Sequence, residues 1–433
     1  FLDPSIADPG LKESLEKRPL FAILVVHDEL IDATQAGHDS LAGSYAQRAK
    51  DLKGRDEREM PAGDYVDKDD PAALPSTTAS RASLPPFVGE RHEIWLVDGR
   101  SWEVVERHPL RDGEKVNAMS MVKLEPNKAS KCSDYERSAK TYLAVGTGIT
   151  SIAGEDVLST GRLALFEISD PKSRQGESDV ALGPALPPPK PTGGGGDPMA
   201  VDGVDADTEA EKAAKEKQKE KEKSQWMRVT VEKSFHSTIT AVSQLGRNPA
   251  HLALCTSPSD HFANAQLQVF DIQFDEETTA GVSTTKRTLE QLGFFDDPLM
   301  YVVSMQVLKN FICLGDIRNS MHFVNWREAD NSLQLLARDR SRCDVMASGI
   351  MLDDGGGGVT VGMLVSDDLG NLRVMQYRPD LSQGKTLNRA ADFHLGTPAS
   401  TIIPVKSKRA LIRTASHFGS LDGSAGVIVP TDK

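Results

Sequence analysis

The chain has 433 residues, of which 39% are hydrophobic and 26% charged, enough for two or three average domains or for one large β domain with a sizeable core. A formal net charge of −13 repels a phosphate backbone, and basic residues gather only in one mixed-charge run, which argues against general nucleic-acid affinity. The four cysteines (Cys132, Cys255, Cys313 and Cys343) show neither C-x-x-C pairing nor zinc-ligand spacing to a histidine, and the longest clean apolar run is far short of a membrane span. Buried free thiols in a reducing compartment are expected. A chain that opens on Phe1 with no start methionine and no signal pattern is expected to be an internal fragment.

Residues 1–20 carry no clear pattern. Phe21–Val26 (FAILVV) is a short continuous apolar run with β-branched members and predicts a buried inner strand. A polar passage follows over about residues 27–90, rich in Asp, Lys, Ala, Ser and Pro, expected to be an inserted loop with a short helix near Ser44–Arg58. His92–Val97, the dipeptide Asp98-Gly99 and Ser101–Glu106 predict a hairpin, because Asp-Gly tolerates the positive φ angles of a tight turn. Val116–Leu124 predicts another alternating strand, and YLAVGT and GRLALFEI within Tyr142–Ile168 predict two more.

From residue 170 to 225 the composition turns to Pro and Gly, then to interleaved Asp/Glu and Lys. Too few apolar residues remain to offset the entropy of ordering, so this is expected to be a disordered insertion. Strands are predicted again at Met227–Val231, Ser237–Leu245, His251–Thr256, Gln266–Ile272 and Tyr301–Leu308, with Gln291–Pro298 as a connection. Between Lys309 and Tyr377 one pattern occurs twice: an apolar run, a polar Gly/Asp turn and a second alternating run. Ala390–Gly396, Thr401–Val405, Ala410–Thr414 and Gly426–Val429 complete the series.

Aligned on Tyr142, Leu252, Phe311, Gly362 and Leu411, the units step by 110, 59, 51 and 49 residues, and the first step falls to about 54 once the low-complexity insert is removed. FAILVV precedes them by one period, which makes six units. The fold expected is all-β: a β-propeller, incomplete in this fragment, with blades over residues 21–169 and 226–433 and long disordered insertions. A pair of β-sandwiches leaves the regular spacing unexplained.

Candidate chemistry is sparse. Gly146 and Gly148 in VGTGITS resemble the start of a dinucleotide loop, but Ser151 stands where the third glycine belongs and no helix follows, so a β turn is expected. Gly355–Gly358 lacks the Lys-Ser/Thr of a phosphate loop and predicts a loop tip between blades. Asp367 and Asp368, beside Gly370 and Asn371, are turn formers before they are catalytic acids. His236, His251, His261, His322, His394 and His417 fall in different units, and Trp95, Trp102, Trp226, Trp326 and Tyr377 are expected in strands, packing blade on blade. No catalytic, cofactor-binding or metal-ligating residue is nominated, no cofactor is expected, and the partner-binding residues are unknown.

The segments KNFICLGDIRNSMHFVNW, NSLQLLARD, LVSDDLGNLRVMQYRPD, RAADFHLG and FGSLDGSAGVIVP resemble the C-terminal propeller region of the large subunit of the cleavage and polyadenylation specificity factor. HEIWLVDGRSWEVVERHPLRDGEKVNAMSMVKL and YLAVGTGI…STGRLALFEI resemble the same region in the same order, so the likeness covers about residues 91–430 without the insert. The superfamily also holds the large subunit of the ultraviolet-damage DNA-binding complex and a subunit of splicing factor 3b. The insert at 170–225 and the glycine tract at Gly355 depart from the pattern.

The resemblance implies a seven-bladed propeller, the third of a multi-propeller scaffold and followed by a C-terminal helical domain before which this chain would be truncated. It also implies a nuclear, non-enzymatic subunit of pre-mRNA 3′-end cleavage and polyadenylation. That subunit would hold the WD-repeat and zinc-finger partners that read the AAUAAA signal, contacting pre-mRNA indirectly and no membrane. The alternatives are a related adaptor of the damage-binding/ubiquitin-ligase or splicing type, and a propeller enzyme with a composite site on one face.

Overall fold

A computed structural model describes residues 9–31, 87–111, 113–126, 130, 139–150, 158–171, 225–246, 250–259, 264–279, 282–353, 360–380, 385–406 and 414–430. Among the described residues one short helix, α1 (Pro9–Lys17), precedes twenty-two strands. Three form the first sheet: β1 (Leu20–Ile31), β2 (Phe87–Asp98) and β3 (Val104–Pro109). The second holds β4 (Glu114–Leu124), β5 (Lys140–Thr150), β6 (Leu158–Ile168) and β7 (Met227–Phe235), and the third β8 (Ile239–Gln244), β9 (His251–Thr256), β10 (Gln266–Thr279) and β11 (Val282–Phe294). The fourth comprises β12 (Val302–Leu308), β13 (Phe311–Asp316), β14 (Ser320–Arg327) and β15 (Ser332–Arg338). The fifth comprises β16 (Val345–Asp353), β17 (Thr360–Asp367), β18 (Asn371–Gln376) and β19 (Asn388–His394), and the sixth β20 (Ala399–Lys406), β21 (Thr414–Ser420) and β22 (Ala425–Ile428).

Every sheet is an antiparallel meander, and β4, β8, β12, β16 and β20 pack in succession as inner strands. This is a β-propeller arrangement of six blades. The expected spacing corresponds to the second strand of each sheet, since Tyr142, Leu252, Phe311 and Gly362 lie in β5, β9, β13 and β17. Leu411, aligned with them, lies outside the described residues.

Two bulges recur from blade to blade. Each inner strand slips register near its start, between Val116 and Ala118, Ile239 and Ala241, Val302 and Ser304, Val345 and Ala347, and Ala399 and Thr401. The third and fourth strands slip as well, at Leu165/Phe166, Val269/Phe270, Phe323/Val324 and Val374/Met375. Such bulges sharpen strand twist, as a radial packing of sheets requires. The β2–β3 pair carries this outer bulge, at Leu96/Val97. The first sheet therefore supplies the second to fourth strands of a blade, and the sixth sheet the first to third.

The core is a chain of five clusters, each shared by two neighbouring sheets. In β9, Leu252 and Leu254 face the second sheet while Ala253 and Cys255 face the fourth. A strand buried on both faces must be apolar throughout, which accounts for the uninterrupted HLALCT. Helix α1 was not foreseen; Leu11 and Leu15, one turn apart, seal the first cluster.

Several expectations change. The FAILVV run is a half-buried strand, with Ile23 36% and Val26 46% exposed, because among the described residues β1 pairs on one side only. Its pairing with β2 runs out to Ile31↔Phe87, so strand reaches into both ends of the polar passage; residues 32–86, including Ser44–Arg58, lie outside the described residues. The hairpin is present, but its turn spans residues 99–103 and the positive φ falls at Trp102, held by Asp98 accepting the N–H groups of Arg100 and Ser101. Gln291–Phe294 is strand, the end of β11, rather than connection. Residues 172–224 of the insertion, and Ala410–Arg413, lie outside the described residues.

One ion cluster joins two blades. Glu167 on β6 meets Arg287 of β11 at 2.8 Å, Arg228 of β7 at 3.2 Å and Lys140 of β5 at 3.5 Å. Burial alone would raise its pKa, but the three cations outweigh it and hold the carboxyl at about 2 against an ordinary 4.5. A depressed carboxyl stabilises the fold above its unfolded pKa and stops doing so as pH falls through the folded value. Thermal melting should thus show about 3 kcal/mol of Glu167-dependent stability vanishing between pH 4.5 and 2, with Glu167→Gln flattening that limb. An unchanged acid limb in the variant would contradict this.

Candidate docking surface

The glycines that suggested a nucleotide loop serve blade packing. Gly146 and Gly148 lie inside β5 rather than in a β turn, and a Cβ on Gly146 would stand 2.4 Å from Ile239 Cγ2 of the next blade. A Cβ on Gly148 would meet Thr238 Cγ2 at 2.6 Å. Absence of a side chain lets β5 and β8 approach. Gly146→Ala should cost about 1–3 kcal/mol by denaturant unfolding, with a fall below a few tenths contradicting the packing role.

The glycine tract falls in the connection between β16 and β17, inside one sheet rather than between blades, and residues 354–359 lie outside the described residues. Asp367 is a turn former, as expected: 2% exposed, it accepts the backbone N–H of Asn371 at 2.7 Å and a guanidinium N–H of Arg373 at 2.9 Å. Cys255, Cys313 and Cys343 are buried free thiols; desolvation raises all three pKa values, Cys343 to about 11. Cys132 and His261 lie outside the described residues. Among the described residues no group of three metal-ligating side chains converges, and no helix is long and apolar enough to cross a membrane.

Among the described residues the histidines join no metal-binding group. His251 of β9 accepts the indole N–H of Trp326 of β14 at its Nδ1, 3.2 Å away, which joins the third and fourth blades. The aromatics divide: Trp326 is fully buried, Trp95 lies under the Arg107 guanidinium at 4.4 Å, and Trp102 is 68% exposed on the first hairpin turn, stacked on Phe21. Trp102 thus departs from the strand expectation, and Trp226 and Tyr377 sit just outside β7 and β18.

Two surface features remain. An apolar groove of about 400 Å³ lies between the fifth and sixth sheets, lined by Leu372, Val374, Phe393, Phe418, Val427 and Ile428. A larger cavity of about 670 Å³ opens at the fourth blade, where Arg318 from the β13–β14 turn meets Arg338 at the end of β15 and Arg340 and Arg342 from the β15–β16 connection. Arg338, Arg340 and Arg342 stand within five residues, interleaved with Asp339 and Ser341, and were not foreseen as a basic cluster; Arg318 lies twenty residues upstream and only the β14–β15 hairpin brings it to them.

The acids at this cavity are committed elsewhere. Buried Asp316 accepts the backbone N–H groups of Met300 at 2.6 Å, Arg318 at 3.0 Å and Asn319 at 3.1 Å. Buried Asp339 accepts the Ser320 hydroxyl at 2.8 Å and the Ser341 N–H at 3.0 Å. Both carboxylates fix the loops that display the arginines, and neither forms an ion pair with them among the described residues. His322 lines the cavity 1% exposed; burial depresses its pKa and leaves it neutral, and its Nδ1 makes no hydrogen bond.

The chain matches the family model described as CPSF A subunit region over residues 91–179 and 282–433, more than half its length. It is 38% identical over 152 residues to cleavage and polyadenylation specificity factor subunit 1 of Arabidopsis thaliana, covering 34% of this chain and 10% of that protein. It is 33% identical over 159 residues to the subunit 1 protein of Oryza sativa, covering 34% of this chain and 11% of the relative. Protein cft1 of Schizosaccharomyces pombe is 23% identical over 320 residues, 72% of this chain and 17% of its own length. The chain thus spans about a tenth to a sixth of the curated relatives it matches. A propeller repeat that persists across the insertion, together with the matches on both sides of it, shows that the chain belongs to the CPSF A subunit region family, that of the large subunit of the cleavage and polyadenylation specificity factor.

Proposed function

We propose that the chain is a propeller segment of a non-enzymatic scaffold in pre-mRNA 3′-end cleavage and polyadenylation, acting in the nucleus. Membership of the CPSF A subunit region family carries this reading. The fold is consistent with it: buried polar residues such as Asp316, Asp367 and His251 are engaged in turns and blade contacts, which leaves the loop faces and edges free for partners. Exposed Phe393 and Val427 beside the apolar groove suit protein contacts better than RNA contacts.

In this reading residues 21–169 and 226–433 form one propeller interrupted by the 170–225 insertion. The family likeness supports a seventh blade and a helical domain in the whole protein. The partners are the WD-repeat and zinc-finger subunits that read AAUAAA, and pre-mRNA is held through them. Affinity purification of the full-length protein from nuclear extract should recover both subunits together with the endonuclease subunit. Recovery of a cullin ligase or of splicing factor 3b components in their place would overturn the proposal in favour of a related adaptor.

A further inference from the structure

The cavity at the fourth blade is built for an anion. Arg318, Arg338, Arg340 and Arg342 are all exposed and line one space of about 670 Å³, and none of them makes an ion pair among the described residues. Four guanidinium groups outnumber the two carboxylates of these loops, so the cavity keeps a positive charge that a bound anion would offset. Two buried carboxylates lie within the same loops, yet each spends its lone pairs on backbone N–H groups and a serine hydroxyl.

The arginines also stand on a fixed frame. The Arg338 N–H bonds Lys385 O at 2.8 Å and its carbonyl accepts the Leu387 N–H at 3.0 Å, while Asp339 N–H bonds Met321 O at 2.9 Å. On the other side Ile317 N–H bonds Tyr301 O at 2.9 Å. The loop backbone is thus set before a ligand arrives, and ordering on binding is confined to the arginine side chains. The wall supplies neutral polar groups too, the Ser341 hydroxyl and the Asn319 amide, and the buried His322 leaves Nδ1 without a partner.

We propose that this cavity binds a phosphate monoester carried on a partner peptide. Guanidinium forks match phosphate oxygens in pairs, and a doubly charged group uses several arginines at once. RNA is the poorer fit on two counts. No phenyl, phenol or indole ring lines the cavity to stack a base, and the chain around it carries a net charge of −13. It would serve a phosphorylated partner of any assembly, so it stands apart from the role in 3′-end processing.

The test uses the purified chain and an immobilised degenerate peptide mixture with one fixed central phosphoserine, read by biolayer interferometry against the same mixture with serine. The phosphorylated mixture should bind and lose affinity as salt rises. The double variant Arg340→Ala/Arg342→Ala should weaken it about tenfold or more, while Arg100→Ala, on the distant first-blade hairpin, should leave it unchanged. All three proteins should melt alike, since the substituted side chains are exposed. Equal binding of the serine mixture, or an undiminished signal in the double variant, would overturn the proposal. So would free inorganic phosphate competing as strongly, mole for mole, as the phosphorylated mixture, or a single-stranded RNA of equal charge binding more tightly through the same arginines.

Discussion

Replacing Glu114 by alanine should destabilise the propeller by about 3–5 kcal/mol, because it leaves Nε and Nη2 of the buried Arg162 guanidinium without their acceptor. Arg162, on β6, donates Nε–H to Glu114 Oε1 at 2.8 Å and an Nη2–H to Oε2 at 2.7 Å, with the Glu114 side chain fully buried and that of Arg162 6% exposed. The Thr147 hydroxyl of β5 adds a bond to Oε1 at 2.6 Å, and Glu232 of β7 takes the Nη1–H of Arg162 at 2.6 Å. One network therefore ties all four strands of the second blade across their width.

Desolvation raises the Glu114 pKa and lowers that of Arg162, yet the paired bonds win at both, so the carboxyl is held below its ordinary value and the guanidinium above. The net worth of such a pair over an apolar substitute is small, since bringing both charges in from water cancels most of the attraction. Glu114→Leu/Arg162→Met should recover most of the loss seen in the single variant. Glu232, partly exposed, is screened, and Glu232→Ala should cost about 1 kcal/mol or less. Urea unfolding of the four proteins checks the set; a double variant as unstable as Glu114→Ala would show that the charges themselves hold the blade.

Trp326→Ala should cost about 3–5 kcal/mol and loosen the join between the third and fourth blades. The indole is 1% exposed, packs edge-on against His251 at 5.7 Å between ring centroids, and donates its N–H to His251 Nδ1. Gly293 of β11 makes room for it: a Cβ there would stand 3.2 Å from the ring and 2.5 Å from Asn331 O. The acceptor role of Nδ1 requires a neutral imidazole, and burial lowers the His251 pKa accordingly. Trp326→Phe should retain most of the packing and lose the hydrogen bond, leaving a smaller deficit of about 1–2 kcal/mol. Chemical denaturation with a fluorescence readout from the remaining tryptophans reports both.

The blade order was legible because second strands are buried on both faces and end on a turn former. FICLGD and VGMLVSD repeat that chemistry, and the buried carboxylates of Asp316 and Asp367 cap the same turn in neighbouring blades. Outer strands were harder to read. β11 (VSTTKRTLEQLGF) has no alternation, and β19 has six of its seven side chains exposed, since an outermost strand meets little but solvent. Inner strand β16 (VMASGIMLD) was missed for the opposite reason: small residues let it pack closely, and a Cβ at Gly349 would lie 2.5 Å from Ile402 Cγ2 of the next blade. In the arginine cavity Arg338, Arg340 and Arg342 are neighbours in the sequence, but the place of Arg318 beside them depends on strand ends meeting across a hairpin, which spacing along a chain does not express.

The proposed scaffold, to which this propeller would belong, is one on which 3′ ends of messenger RNA are cut and tailed. Rapid depletion of the protein in its own cells, followed by sequencing of nascent RNA 3′ ends, tests it most directly. Cleavage downstream of AAUAAA signals should fail and transcription should read through within one round, with splicing of upstream introns preserved and rescue by the full-length protein. Intact 3′ ends accompanied by retained introns, or by a defect confined to repair of ultraviolet damage, would contradict it.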